Sequence, residues 1–101
     1  MPEERRTDQR VPLNLSARYD GLSGVHEARV EDISMGGCFV NARGMVDSGE
    51  VITIEIKMPS GEWLPLRGEV TSCQPGIGFG MVFTFLTAEE ENTLQQLITG
   101  N

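Results

Sequence analysis

The sequence predicts a mainly β fold, in which six short antiparallel strands form a barrel or a sandwich and one helix follows them. Apolar and polar residues alternate along most of the chain, which is the pattern of strands with one buried face. Clusters of glycine, proline and small polar residues interrupt this alternation at intervals typical of all-β domains. After Thr87 the apolar period lengthens to that of a helix. Closing the sheet would also remove exposed strand edges, which promote aggregation.

The first three strands are marked by alternation and by the turns between them. From Val11 to Tyr19 the odd positions are apolar and the even positions are mostly polar. The segment DGLSG, residues 20–24, predicts a turn into a second strand over about residues 26–34. GCFVNA, residues 37–42, then predicts a short third strand, which the segment RGMVDSG ends.

The last three strands alternate more clearly and are joined by two turns, PSGE and QPGIG. On each strand one set of alternate positions is apolar and is predicted to face the core. These inward positions are Ile52, Ile54, Ile56 and Met58 on the fourth strand, Leu64, Leu66 and Val70 on the fifth, and Phe79, Met81, Phe83 and Phe85 on the sixth.

A carboxy-terminal helix is predicted over about residues 88–99. Thr87 begins a Thr-x-x-Glu capping box, in which two side chains satisfy amides of the first turn. Gly100 supplies the left-handed conformation that ends many helices. The helix carries a narrow apolar stripe made of Leu94, Leu97 and Ile98. We expect this stripe to cover an open barrel end or a neighbouring face.

The second strand breaks its own alternation near its end. Val30 faces the core, so continued alternation would bury Asp32 and Ser34 and expose Ile33. Burying an unpaired carboxylate is strongly unfavourable. A β-bulge near Glu31 avoids this cost, because one extra residue shifts the register by one position. The bulge turns Ile33 inward, and we expect the side chains of Asp32 and Ser34 to point outward together.

The charge balance limits the partners of this chain. It carries 8 Lys plus Arg against 15 Asp plus Glu, a formal net charge of −7, which argues against broad binding of nucleic acid. It contains no run of about 18 apolar residues, so we expect no membrane span. The first residues include no apolar segment of the kind found in secretory signals, which favours the cytoplasm.

No catalytic or metal site is predicted. Cys38 and Cys73 lie in strand-like segments and are expected to be buried thiols. A single histidine without a CxxC or HExxH pattern argues against a metal site. His26, Asp32 and Ser34 are residue types of a hydrolase triad, but no nucleophile elbow accompanies them.

Two polar groups stand out from this fold. One is an arm, residues 1–10, which we expect to be flexible ahead of a single folded domain of residues 11–101. The arm carries three of the eight cations, at Arg5, Arg6 and Arg10. The other group lies at the end of the second strand and consists of Asp32, Ser34, Gly36 and Gly37.

The chemistry of these groups suits a ligand that carries both phosphate and guanine. An arginine fork binds two phosphate oxygens at once and matches the O6 and N7 edge of guanine equally well. A carboxylate such as Asp32 can accept from the N1–H and N2–H₂ donors on the opposite edge. Ser34 can add a hydroxyl hydrogen bond. Gly36 and Gly37 permit a tight turn or a close approach by a ligand.

The two motifs and their order are similar to those of the PilZ domain family. Residues 6–10 read as RxxxR, and residues 32–37 read as [D/N]xSxxG, with about 20 residues between them. The segment GFGMVF, residues 78–83, resembles the glycine-rich last strand of that family. The resemblance covers nearly the whole chain and implies a six-stranded PilZ-like β-barrel with a carboxy-terminal helix.

The resemblance implies a bacterial receptor for the second messenger cyclic di-GMP, which is a ligand rather than a cofactor. In the family the RxxxR arm wraps over the ligand, so Arg6 and Arg10 would contact guanine and phosphate. Asp32 and Ser34 would hold a guanine edge, and the last glycine of the motif would let the ligand lie close. Arg5 occupies a position that influences whether one ligand or an intercalated pair binds, and here it favours a pair.

Two functions remain open on the sequence alone. The first is a receptor whose arm orders on ligand binding and so signals to a downstream protein partner that is not identified. The second is a PilZ-like adaptor that binds proteins and whose output does not require the nucleotide. Neither function involves catalysis.

Overall fold

All six predicted strands and the helix are present in the structure, a computed structural model that describes residues 10–22, 24–44 and 46–100. Their bounds are β1 (Val11–Gly21), β2 (Gly24–Ile33), β3 (Gly37–Asn41), β4 (Val51–Lys57), β5 (Trp63–Gln74), β6 (Gly78–Phe83) and α1 (Ala88–Thr99). The strands pair in the order β1-β2-β3-β6-β5-β4 and close into an antiparallel barrel. The predicted fold is therefore confirmed, and the alternative of a sandwich is excluded.

The barrel is filled by side chains from alternate positions of its strands. The inward residues predicted within β4 and β5 are buried, which confirms the alternation read from the sequence. Phe79 and Met81 of β6 are buried as well, and Phe83 packs against the edge of the core. The prediction for Phe85 is wrong, since its side chain is 65% exposed. β6 ends at Phe83, and strand alternation does not apply beyond that point.

The end of β2 carries the β-bulge that the sequence predicts. Val30 pairs with Val40 of β3, and Asp32 pairs with the residue immediately before Val40, so Glu31 is an extra residue on β2. Val30 and Ile33 are both fully buried although they are three positions apart. The bulge therefore turns Ile33 into the core and leaves Asp32 on the outer face.

The capping box predicted for α1 is formed. Thr87 Oγ1 accepts a hydrogen bond from the Glu90 amide, and Glu90 Oε1 accepts one from the Thr87 amide, each at 3.1 Å. Gly100 ends the helix in the left-handed region, with φ 84°. Leu94 is fully buried, and Arg67 of β5 donates to Glu90 Oε1 at 2.9 Å. Among the described residues, no helix is long and apolar enough to cross a membrane.

The two cysteines lie in different environments. Cys38 is buried in the core, and this burial raises the pKa of its thiol to about 12. Cys73 is only partly buried, and its thiol lies 3.2 Å from the carbonyl oxygen of Val46. The expectation of two buried thiols is therefore confirmed for Cys38 alone.

Glu50 joins two loops at one end of the barrel. One carboxylate oxygen accepts a hydrogen bond from the Leu22 amide at 2.8 Å, in the turn between β1 and β2. The other accepts from the Asp47 amide at 3.0 Å, in the loop before β4. These two backbone donors stabilise the charged form, so the pKa of Glu50 lies below its ordinary value although burial opposes the shift.

The Glu50 contacts predict a stability that falls in acid. A carboxyl group whose pKa is lower in the folded state stabilises the fold above its unfolded pKa, about 4.3. That stabilisation is lost as the pH falls through the folded pKa. Glu50→Gln keeps one acceptor and sets an NH₂ group against the second backbone donor. We therefore expect a loss of about 1–3 kcal/mol at neutral pH and a weaker acid dependence.

Urea unfolding at a series of pH values, from neutral to acid, checks this expectation. Glu27→Gln is the matched control, because Glu27 is exposed on β2 and accepts no hydrogen bond from the described part of the chain. Its acid dependence should follow that of the parent chain. If Glu50→Gln and the parent chain lose stability equally in acid, the two hydrogen bonds do not stabilise the fold.

Candidate functional site

A shallow groove of about 450 Å³ crosses the outer face of the barrel over β2, β3, β6 and β5. Its floor follows one cross-strand row of paired residues, which are in order Asp32, Phe39, Gly80 and Ser72. Arg10 lies at the Asp32 end of this row, just before β1 begins. Strand pairing thus brings side chains from four strands and the end of the arm into one line.

Arg10 and Asp32 form an ion pair at one end of the groove. Arg10 Nε donates to Asp32 Oδ1 at 2.9 Å, and Nη2 lies 2.7 Å from the same oxygen. The two side chains are 46% and 35% exposed. An ion pair with this much access to water contributes only about 0–1 kcal/mol, so a ligand can replace either partner at little cost. The structure therefore brings together one residue from each sequence motif.

Ser34 is buried in the turn after β2, and the expectation that its side chain points outward is wrong. Its hydroxyl oxygen accepts from the amides of Gly36 and Gly37, at 3.1 and 3.2 Å. The same hydroxyl donates to the Gly37 carbonyl at 3.3 Å. β2 ends at Ile33, so the alternation of the strand does not extend to Ser34. The serine shapes this turn and does not line the groove.

The two glycines of this turn hold β3 close to β6. A Cβ atom at Gly37 would collide with the Met81 carbonyl oxygen and would lie 3.1 Å from Val82 Cα. The amide of Phe83 donates to the Gly36 carbonyl at 2.8 Å. Position 37 therefore needs glycine for the packing of two backbones, whatever a ligand requires there.

Seven groove residues belong to neither of the two motifs: Cys38, Phe39, Thr71, Ser72, Gly80, Met81 and Val82. A Cβ atom at Gly80 would lie 2.9 Å from Ser72 Oγ, so glycine keeps the floor of the groove open. Phe39 can be found by alternation, because both its neighbours in β3 face the core. Gly80 lies in the segment GFGMVF, which the sequence analysis singled out. Thr71 and Ser72 join the groove only because β5 pairs with β6, and no local pattern in the sequence contains that information.

Of the RxxxR motif, only Arg10 is among the residues that the structure describes. Arg5 and Arg6 lie outside the described residues, so their contacts remain predictions. Arg10 alone places the motif beside Asp32. Within the described ranges, no group of His, Cys, Asp and Glu side chains is arranged to hold a metal ion.

Comparisons with known proteins identify the same family as the two motifs. The family model described as PilZ domain matches residues 4–100. The chain is similar to the PilZ domain of CeSA from a cellulose synthesizing bacterium, with TM-score 0.71 and 22% identity, covering 91% of this chain and 96% of that one. It is also similar to the Bacillus subtilis inhibitor of motility MotI/DgrA, with TM-score 0.76 and 19% identity, covering 99% of this chain and 55% of that one. No curated protein matches the sequence.

The packing at Gly37 predicts that alanine is poorly tolerated there. Gly37→Ala should lower the free energy of unfolding by about 1–3 kcal/mol, because the added methyl group meets the backbone of β6. Gly80→Ala is the matched control, since its methyl group meets only the Ser72 hydroxyl, which can rotate away. Urea unfolding of both variants measures the difference. Equal losses would contradict the assignment of Gly37 to backbone packing.

Proposed function

The chain belongs to the PilZ domain family, a family of cyclic di-GMP receptors, and from that premise we propose that it binds cyclic di-GMP in the groove between Arg10 and Ser72. One observation carries the proposal. Arg10 of the RxxxR motif and Asp32 of the second motif meet at 2.7 Å at one end of the groove. We infer that the protein acts as a receptor, which binds and releases cyclic di-GMP without changing it chemically.

Asp32 is the proposed acceptor for one guanine base. A carboxylate can take two parallel hydrogen bonds from the N1–H and N2–H₂ groups of guanine. Both contacts from Arg10 converge on Oδ1, which leaves Oδ2 for a donor of the base. The carboxylate lies on the outer face, so a flat base can reach it from solvent.

On ligand binding, the Arg10 guanidinium would leave its ion pair with Asp32 and bind the ligand instead. Its guanidinium can bind two phosphate oxygens, or the O6 and N7 atoms of guanine, through two parallel hydrogen bonds. Hydrogen bonds to charged groups contribute about 1.5–3 kcal/mol each, more than the exposed ion pair that is given up. Arg6 lies four positions earlier and would supply the second fork of the motif.

The floor of the groove supports a base without selecting its identity. Gly80 leaves room above the sheet, and the ring of Phe39 lies beside it in the same cross-strand row. Contact between a base and an aromatic ring is worth about 1–3 kcal/mol. Ser72 and Thr71 place hydroxyl groups at the far end of the row. Specificity for guanine would then come from Asp32 and the arginines.

Ser34 supports the site indirectly, whereas Gly36 and Gly37 also line the groove. Their hydrogen bonds fix the turn that follows Asp32, so we assign them to positioning the carboxylate. Arg5 adds a third guanidinium to the arm, and we propose that it favours an intercalated pair of ligands over a single one.

The arm is the proposed relay between ligand and output. Arg10 connects residues 1–9 to the groove, so a ligand held by Arg6 and Arg10 would fix the path of this segment over the barrel. The ordered arm and the covered groove form a surface that a downstream protein can distinguish from the ligand-free one.

A protein-binding adaptor is the second candidate function. One observation favours it, because Arg10 and Asp32 bind each other through the groups that the receptor function would turn towards the nucleotide. In that case Arg10 would pair with Asp32 rather than with a ligand, and the output would not depend on cyclic di-GMP.

Isothermal titration calorimetry of an arginine variant separates the two functions. Arg6→Ala combined with Arg10→Ala should weaken cyclic di-GMP binding at least about 100-fold, because two charge-assisted contacts are lost. Arg10 is exposed and Arg6 belongs to the proposed flexible arm, so we expect unfolding by urea to be unchanged. Arg43→Ala is the control, since Arg43 is exposed and outside the groove. GMP and cyclic di-AMP should give no comparable heat.

The receptor proposal is contradicted if the folded parent chain releases no saturable heat with cyclic di-GMP. It is also contradicted if the double variant binds as tightly as the parent chain. In either case the adaptor function becomes the better account.

The relay predicts a change in the motion of the arm. Amide nitrogen relaxation of residues 3–10 should report slower, more restricted motion when cyclic di-GMP saturates the protein. Residues of β4, on the opposite side of the barrel, serve as the internal control. Unchanged relaxation of the arm at saturation would rule out ordering as the signal, even if the ligand binds.

A further inference from the structure

A second surface, which we call the β4–β6 face, lies beside the groove on the outer wall of the barrel. Val51 of β4 pairs with Glu69 of β5, and Glu69 pairs with Val82 of β6, so the three form one cross-strand row. Phe85 follows just after β6. The side chains of Val51, Val82 and Phe85 are 67%, 44% and 65% exposed. Two exposed valines thus flank one acidic residue, and an exposed aromatic ring lies near Arg67 on the same strand.

The two charged residues of this face differ in their contacts. Arg67 is engaged, because it donates to the Phe85 carbonyl at 3.0 Å and to Glu90 at 2.9 Å. Its guanidinium also lies 5.9 Å from the centre of the Phe85 ring, so the ring lies beside β5. Glu69 has no cation within ion-pair distance among the residues that the structure describes. The face therefore presents an exposed aromatic ring and a carboxylate that no described cation pairs with.

Single exposed apolar residues are ordinary, whereas a group of them around a polar centre is typical of an interaction site. We propose that the β4–β6 face docks a partner protein through a segment that carries a lysine or arginine among apolar side chains. The cation would pair with Glu69. The apolar side chains would cover Val51, Val82 and Phe85, and the aromatic ring would be the main anchor.

Charge excludes other occupants of this face. In a two-fold symmetric contact centred on Glu69, the two Glu69 carboxylates would face each other, and the nearby Arg67 is already engaged. A membrane surface or a nucleic acid is anionic, and both would be repelled by Glu69 and by a net charge of −7. A basic, apolar protein segment is the occupant that this chemistry fits.

The position of Val82 connects this face to the groove. Val82 lines the groove and also belongs to the β4–β6 face, and its strand partner on the other side is Gly37. A ligand in the groove would therefore lie next to the docked segment. This regulatory link rests on the proposed binding of cyclic di-GMP, whereas docking itself does not.

Selection of peptides on the folded protein tests the docking surface. A random peptide library displayed on phage is panned against the whole chain without nucleotide. The selected peptides should combine Lys or Arg with apolar residues, and amide shift changes should map to residues 51, 69, 82 and 85. Failure to select any peptide, or shift changes confined to another surface, would overturn the proposal.

Two variants test the named contacts. Glu69→Lys and Phe85→Ala should each weaken the selected peptide at least about tenfold, and both side chains are exposed enough to leave folding intact. Glu27→Lys reverses an exposed acid on β2 and should leave the affinity unchanged. Peptide binding that survives Glu69→Lys would overturn the assigned role of the carboxylate.

The same variants distinguish a failure of cyclic di-GMP binding from a failure of the docking surface. Glu69→Lys should still bind cyclic di-GMP in calorimetry, because Glu69 does not line the groove. If peptides bind and cyclic di-GMP does not, the receptor function fails and the docking surface stands. If cyclic di-GMP binds and no peptide is selected, the docking surface fails alone. Peptide affinity that is identical with and without bound nucleotide would remove the regulatory link.

Discussion

The extra residue at Glu31 is the constraint on which the groove depends. Val30 and Ile33 are both fully buried, and only a bulge between them allows two residues three positions apart to face the same side. Burying a side chain the size of isoleucine contributes about 1.5–3 kcal/mol, so core packing alone is sufficient to hold the bulge. The outward position of Asp32 is a consequence of that packing, and there it pairs with Arg10.

Glycines set the shape of the groove in two different ways. Gly37 and Gly78 lie at opposite ends of the β3–β6 ladder, and a Cβ atom at either would collide with a carbonyl oxygen of the facing strand. These two residues let the strands approach closely. Gly80 lies between them in β6, and its missing side chain leaves space on the outer face. A glycine-rich last strand thus serves barrel closure at its start and the groove at its middle.

The sequence predicts those features of the structure that depend on the burial pattern of a single strand. Alternation identifies the core of β4 and β5, and the conflict at Asp32 predicts the bulge, because burial acts on each strand separately. The errors at Ser34 and Phe85 both fall one or two positions beyond a strand end, where the backbone turns and alternation no longer governs direction. The row from Asp32 to Ser72 depends on the pairing of β3 with β6, which a local pattern does not contain.

We propose that cyclic di-GMP binds along the cross-strand row that begins at Asp32, with Arg10 beside it. An amide chemical-shift titration with cyclic di-GMP tests it most directly, because it reports every strand of the barrel at once. Binding in the groove should give saturable shifts at residues 10, 32, 36–39 and 80–82, with little change in β4 on the opposite wall. Saturable shifts confined to β1 and β4, or no shifts from a folded protein, would contradict it.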